Sequence, residues 1–294
     1  MSLYAVMHSK LLVKMINFRT FFNWILSFWG FELKKVNFNS TSDENIPEIE
    51  CLPADENIPE IECLPADENI SKIECFLADL QNRGLSVRGI IDVGANYGAW
   101  TYMALQRFPQ AAVIAIEPQV EMIPSLTDLC ENYPQIQFIR AGAGRSSGEL
   151  VQTIWDDFAG SSFLPTVDPE QMSSGRQRKT KIVTIDELLS SQPDFQPDLV
   201  KLDIQGFELE ALAGAASLFG RTEIFIIETS LFSFLSNEPI AREIIEFMAS
   251  KKYEIYDITG ILRRPYDGAL GQMDLAFAKK DGVLRSSNEW LALK

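Results

Sequence analysis

Short apolar runs alternate with amphipathic stretches from about residue 80 onward. Ile90, Ile91 and Val93 form a run that stops at Gly94, and a helical pattern follows through Tyr102, Met103, Leu105 and Phe108. Residues 113–116 read as a second buried strand ending at Glu117-Pro118, 120–133 as a helix and 136–140 as a third strand. Residues 150–155 suit an extra strand, 160–178 a Gly/Ser/Pro-rich loop, 182–185 a strand and 186–189 a helical turn. A strand over 198–202 stops at Asp203, and a helix (208–219), a strand (223–227), a helix (240–251) and two strands (253–258 and 274–278) complete the pattern. Such alternation predicts an α/β fold, a doubly wound and mostly parallel sheet with crossover connections. No helical pattern separates the last two strands, so the last is expected antiparallel, at the edge of the sheet.

The preceding stretch divides in two. In 1–42, Leu11, Leu12, Met15, Phe18, Phe22, Ile25 and Trp29 follow helical spacing among Lys10, Lys14 and Arg19. The apolar part, 20–31, is shorter than the roughly 20 residues that span a bilayer, and no small-residue cleavage site follows it. An amphipathic helix touching a membrane surface through residues 10–31 is one expectation; packing on the domain or on a second subunit, and hence an oligomer, is the other. Residues 43–79 hold a twelve-residue repeat, Asp43-Glu-Asn-Ile-Pro-Glu-Ile-Glu-Cys-Leu-Pro-Ala54, copied unchanged in 55–66 and altered in 67–78. Its prolines and acids predict an extended linker, except that the third copy has lost both prolines and allows a helix over 70–82. The expected organisation is therefore an N-terminal helix (1–42), an acidic linker (43–79) and one domain (80–294).

Charge sharpens these boundaries. Five basic residues against Glu32 give 1–42 a charge of +4, and twelve acids against Lys72 give 43–79 a charge of −11, leaving −8 for the domain out of −15. So acidic a chain lacks a broad grip on a nucleic-acid backbone, and no nucleic-acid partner is expected. Cys51, Cys63 and Cys75 recur with the repeat, without a Cys-x-x-Cys pair, and His8 is the one histidine. Reduced thiols in a cytoplasmic setting follow, with peripheral attachment at the inner membrane face as the companion expectation, and no residue is assigned to a metal.

The chemistry concentrates at strand ends. Gly94 and Gly98 flank a strand-to-helix turn that needs positive φ and close approach. Asp92, Glu117 and Asp203 end three strands, where carboxylates face the ligand crevice of a doubly wound sheet. Glu117 lies nineteen residues after Gly98, near the offset of about 20 at which an acid meets ribose hydroxyls. Each acid alone also reads as a cap or a solvent-facing group. A nicotinamide-dependent oxidoreductase would use the same turn, but Asn96 stands where its second glycine belongs. A non-catalytic scaffold carrying a cofactor fold is the third reading.

Asp92-Val-Gly-Ala-Asn-Tyr-Gly98 resembles motif I of S-adenosylmethionine-dependent methyltransferases, and Glu117 their ribose-binding acid. Val183-Thr-Ile-Asp-Glu-Leu-Leu189 followed by Asp198-Leu-Val-Lys-Leu-Asp-Ile-Gln-Gly-Phe-Glu-Leu-Glu-Ala-Leu-Ala-Gly-Ala215 is similar to the FkbM-type methyltransferases, over about 84–280. Many members carry Glu where Gln205 stands. The resemblance implies a Rossmann-like methyltransferase fold and S-adenosyl-L-methionine as cofactor, held by Asp92, Gly94, Ala95, Asn96, Gly98, Glu117, Pro118 and Asp203. It also implies O-methylation of a small-molecule or glycan acceptor: a sugar, a glycolipid or a secondary metabolite. A hydroxyl acceptor loses its proton to a positioned base. The domain has no histidine, so Asp203, Glu208 and Glu228 are the candidates, with Lys201 weaker. Glu208 equally suits a helix first-turn acid, and a divalent ion on Asp203 and a neighbouring acid is an alternative activator. Tyr97, Asn96 and Trp100 are placed to shape the cofactor site, although Trp100 also suits core. Asp156, Asp157 and Gly160-Ser-Ser162 fall where a lid or acceptor loop would lie. Arg176, Arg178, Lys179 and Lys181 form a basic patch, read as a solvated loop end or a contact for an anionic acceptor.

Overall fold

A computed structural model describes residues 68–291 of the chain. The expected N-terminal helix and the first two repeat copies lie outside those residues. The third copy enters α1 (Glu68–Asn82), in keeping with its lost prolines. Among the described residues no helix is long and apolar enough to cross a membrane.

A seven-stranded sheet is built from β1 (Gly89–Val93), β2 (Ala112–Ile116), β3 (Ile136–Ile139), β7 (Leu199–Leu202), β8 (Ile224–Ser230), β9 (Tyr253–Arg263) and β10 (Leu270–Lys279), in the order β3-β2-β1-β7-β8-β10-β9. The strands from β3 to β8 are parallel, and β10 is antiparallel to both of its neighbours. The last strand is antiparallel as expected, but it does not lie at the edge: it inserts between β8 and β9. The reason lies in its side chains. Leu275, Ala276, Phe277 and Ala278 are all buried, whereas β9 carries exposed Asp257 and Arg263, charges that suit an unpaired edge.

Successive residues of each strand face opposite sides of the sheet. Ile91, Val93, Val200, Leu202, Phe225, Ile227 and Phe277 enter one core with α5 (Ile185–Ser190), α6 (Glu208–Ala213) and α7 (Ala241–Ser250). Ile90, Val113, Ala115, Leu199, Ile224, Ile226 and Ala276 enter the other, with α1, α2 (Ala99–Arg107) and α3 (Ile123–Asn132). Asp92 shares the second face, since it pairs with Ala115 and with Lys201.

Three local expectations change. Residues 160–178 are not all loop: they contain α4 (Pro169–Ser174) and the start of β6 (Gln177–Val183). With β4 (Gly142–Ala143) and β5 (Gly148–Thr153), β6 forms a second, three-stranded sheet in the order β4-β6-β5. The alternation of Arg178 and Thr180 with Lys179 and Lys181 hid this strand behind charge, so Arg178, Lys179 and Lys181 stand on a strand, and Arg176 on the loop just before it. The helix expected over 208–219 stops at Ala213, because Gly214 lies against the Gly144 carbonyl, 2.1 Å from where a Cβ would stand.

Burial on the inserted strand yields a test. Phe277→Ala should cost about 3–5 kcal/mol, and Ile255→Ala on the exposed edge about 0.5 kcal/mol or less, as read from urea midpoints. Equal losses would contradict this strand order.

Candidate active site

At the carboxyl end of β1 the chain turns through Gly94, with φ +82° and its missing Cβ only 1.9 Å from the Asp203 carbonyl oxygen. No side chain fits there, so the ends of β1 and β7 touch and open a crevice where the strand order reverses. Gly98 (φ +84°) begins α2, and its Cβ would stand 2.6 Å from Leu129 of α3. Its close neighbour is thus a helix side chain, not a strand.

Glu117, at the end of β2, is buried beneath this turn. Its Oε2 accepts from the Asn96 amide and its Oε1 from the Gln119 amide, both at 2.9 Å. Burial pushes its carboxyl above the usual range, and these donors pull against it. Asp92 is fully buried; its Oδ2 accepts from the Thr101 hydroxyl at 2.6 Å. Burial raises this carboxyl too, opposed by Lys201 and Thr101. Asp92 Oδ1, Asn96 Oδ1 and Trp100 Nε1 are buried without a partner. Trp100 packs against the core under α2, and the Lys201 ammonium also lies 5.9 Å from its ring centroid.

Beside them the second half of the site forms on three neighbouring strands. Lys201 Nζ donates to Asp203 Oδ2 at 2.8 Å. Gln205, in the left-handed region at φ 55°, donates its amide to Asp203 Oδ1 at 3.2 Å and to Glu228 Oε2 at 2.7 Å. Glu228 pairs across the ladder with Asp274 of β10, and Asp274 with Gly260 of β9. A Cβ at Gly260 would meet Asp274 Oδ2 at 2.2 Å, so glycine makes room for the carboxylate. Asp92, Lys201, Glu228 and Asp274 share one face of the sheet, by the registers that align their flanking residues.

Charge in this cluster is unbalanced. Burial drives each carboxyl toward its neutral form. For Asp203 that drive is overcome by Lys201, then by hydrogen bonds from Gln205 and Glu228, and its carboxyl is held below the usual range. Burial also works to discharge Lys201, but Asp203 and Asp92 keep its ammonium above its ordinary value. Glu228 is pushed well above its usual range by burial, then by Asp203, Glu208 and Asp274. Asp274 rises to about 6 through burial and Asp203. Glu208 rises to about 7, mainly by burial, while its Oε1 accepts from the Ile204 and Gly206 amides at 3.1 and 3.2 Å. Glu208 therefore ties the 203–208 turn together. With Asp203 engaged by Lys201 and Gln205, no group of three His, Cys, Asp or Glu side chains suited to a metal ion occurs among the described residues.

The structure thus brings Asp92, Asn96 and Glu117 together on one side of the crevice, and Asp203 and Glu228 on the other. Sequence reasoning passed over Thr101, Gln119 and Asp274. Asp274 did leave a signal, as the lone acid entering the apolar run Leu275-Ala-Phe-Ala278. The basic patch turns outward: Arg178 pairs with Glu121 at 2.6 Å, Arg176 with Asp156 at 3.5 Å and Lys179 with Glu149 at 4.0 Å.

A family model described as the methyltransferase FkbM domain matches residues 92–255, more than half of the chain, and the chain belongs to that family. The methyltransferase sdnD of Sordaria araneosa is 26% identical over 153 residues, 42% of this chain and 59% of that protein. The hexuronic acid methyltransferase AglP of Haloferax volcanii is 28% identical over 142 residues, 47% of this chain and 54% of that protein. The chain thus spans between half and two thirds of the length of these relatives. Among solved structures, methyltransferase FkbM of Methylobacillus flagellatus superposes with a TM-score of 0.43 at 18% identity, covering 65% of this chain and 44% of that one.

The raised carboxyls of Asp274 and Glu208, about 6 and about 7, fix the sign of a pH effect. The native protein holds protons there that the unfolded chain releases near pH 4, so their stabilising contribution is full below about pH 4 and fades as pH rises through 6 and 7. Urea midpoints should fall between pH 5 and 7.5. Asp274→Asn should remove on the order of 2 kcal/mol of that fall, and an unchanged slope would refute the assignment.

Proposed function

We propose that this member of the FkbM family transfers the methyl group of S-adenosyl-L-methionine to an oxygen of a sugar-like acceptor. The observation that carries the reading is the juxtaposition of two differently tuned carboxyl sets in one crevice. Glu117 lies under the Gly94 turn, and the Asp203–Glu228 pair lies beside it with Lys201 and Gln205.

The residues present fit the cofactor. Each Glu117 oxygen accepts one backbone N–H, and a carboxylate oxygen has capacity for a second donor, so both ribose hydroxyls can be received. Asp92 Oδ1 and Asn96 Oδ1 are buried acceptors lacking a donor, which suits the cofactor's ammonium group. Gly94, Ala95, Gly98 and Pro118 shape the backbone around it. When bound, the cofactor supplies an already activated sulfonium methyl.

The protein's part is alignment and proton handling. Holding the acceptor oxygen in line can supply about 7–11 kcal/mol of barrier reduction. The acceptor hydroxyl donates to Asp203, and the Asp203–Glu228 pair takes up its proton as the oxygen is methylated. Because the two carboxyls share hydrogen bonds with Gln205, they titrate as a unit. Before that proton transfer, Lys201 holds the pair's single negative charge on Asp203. Glu208 acts on the backbone of the turn rather than on the acceptor. The likeness to a hexuronic acid methyltransferase supports a sugar acceptor, and an acidic sugar is the first to test.

Two variants separate binding from chemistry. Glu117→Ala should weaken S-adenosylhomocysteine binding by about tenfold or more, the equivalent of one lost charge-assisted hydrogen bond, as measured by calorimetry. Asp203→Asn should keep that affinity within a few-fold while lowering turnover by about 10²–10⁴, read with labelled cofactor and a panel of hexuronic acids, hexoses and glycolipids. Undiminished turnover in Asp203→Asn would remove the pair from the reaction.

A further inference from the structure

Two consecutive serines in the segment joining β5 to β6 reach in opposite directions. Ser161, 8% exposed, donates its hydroxyl to the side-chain oxygen of Gln119 at 3.1 Å. Gln119 donates its side-chain amide to the Phe158 carbonyl at 3.1 Å and its backbone amide to Glu117. Ser162, fully buried, donates to the carbonyl of Gln205 at 2.8 Å. The next two residues extend that second contact. The Phe163 ring lies 5.4 Å from that of Phe207, and a Cβ on Gly206 would meet Leu164 at 2.6 Å.

The segment is itself firmly held. Thr153 and Ser162 exchange backbone hydrogen bonds at 2.9 and 3.1 Å, and the Trp155 amide donates to the Ser161 hydroxyl at 3.3 Å. A shift of Ser161 therefore moves Ser162 with it. Gln205 is the residue most sensitive to such a shift. It sits at φ 55°, where a non-glycine residue is held by its surroundings, and its side chain bridges Asp203 and Glu228.

We propose that Ser161 and Ser162 are positioning residues that couple occupation of the Glu117 site to the geometry of the Asp203–Gln205–Glu228 cluster. Nucleoside bound on Glu117 fixes Gln119, Gln119 fixes Ser161, and Ser162 then fixes the carbonyl of Gln205. The acid pair is set for the acceptor only once the cofactor is in place, so the cofactor binds first, and by reciprocity a bound acceptor tightens the cofactor. The inference rests on the cofactor reading given above.

Adenosine tests it, because it carries the ribose that Glu117 would receive and lacks the amino-acid end that would approach the cluster directly. The readout is hydrogen exchange of the Ile204 and Gly206 amides, which donate to Glu208 in the 203–208 turn. In the full chain, saturating adenosine should slow their exchange about fivefold or more, the low end of ordinary coupling. In Ser161→Ala the slowing should disappear, and Ser161→Thr, which keeps the hydroxyl, should restore it. Gln119→Met cuts the same link from its other end and serves if Ser161→Ala does not fold. Equal slowing in the wild-type chain and in Ser161→Ala or Gln119→Met, or no slowing in the wild-type chain, overturns the coupling. Failure of the wild-type chain to bind S-adenosylhomocysteine in calorimetry overturns the cofactor reading instead, and the coupling with it.

Discussion

The Lys201 ammonium is the charge on which the carboxyl end of this sheet depends. It donates to Asp203 and is held charged by both Asp203 and Asp92, so it serves both halves of the crevice. Without it, the half-buried acids Asp203, Glu228 and Asp274 would have no cation among them. Lys201 is the more deeply buried partner, at 12% side-chain exposure against 35% for Asp203, so an ammonium left without that carboxylate would stay largely desolvated. Tuning follows from the same geometry: the carboxyl that touches Lys201 is pushed down, and those beyond it are pushed up.

Strand order explains why the cluster exists. Asp203 and Glu228 come from adjacent parallel strands, as any doubly wound sheet would place them. Asp274 arrives by another route, on a strand running the opposite way and inserted beside β8. Because β10 crosses from its hairpin with β9 back along β8, its acid meets the end of β8 rather than its beginning. Gly260 on the far side leaves the space that Asp274 needs. The fold thereby lends the site a carboxyl from outside the strand–turn–helix units.

The second sheet plays a comparable part. Its strands β5 and β6 hold a connecting segment whose two serines touch Gln119 and Gln205. The Glu117 side and the Asp203–Glu228 side are otherwise joined through the sheet itself, by the pairing of Asp92 with Lys201. Two routes, a sheet ladder and a buried segment held by the second sheet, thus connect the same groups.

How much of this could be read from the chain depends on what was local. The apolar runs, the glycine turn and the acids at strand ends were legible, because alternation and strand termination are properties of a few consecutive residues. So were Asp92, Asn96, Glu117, Asp203 and Glu228 as a set, since a parallel sheet gathers carboxyl ends on one edge. The first part of β6, residues 177–181, was missed because Arg178, Lys179 and Lys181 look like a solvated loop until a partner strand is present. Asp274 was missed because its value comes from pairing with Glu228 forty-six residues earlier in the chain. The sequence by itself determined which groups the parallel strands bring to the crevice, though not Asp274, through local periodicity. Only the tertiary structure decided which of them carry a proton, because burial and the single shared ammonium are set by contacts between distant strands.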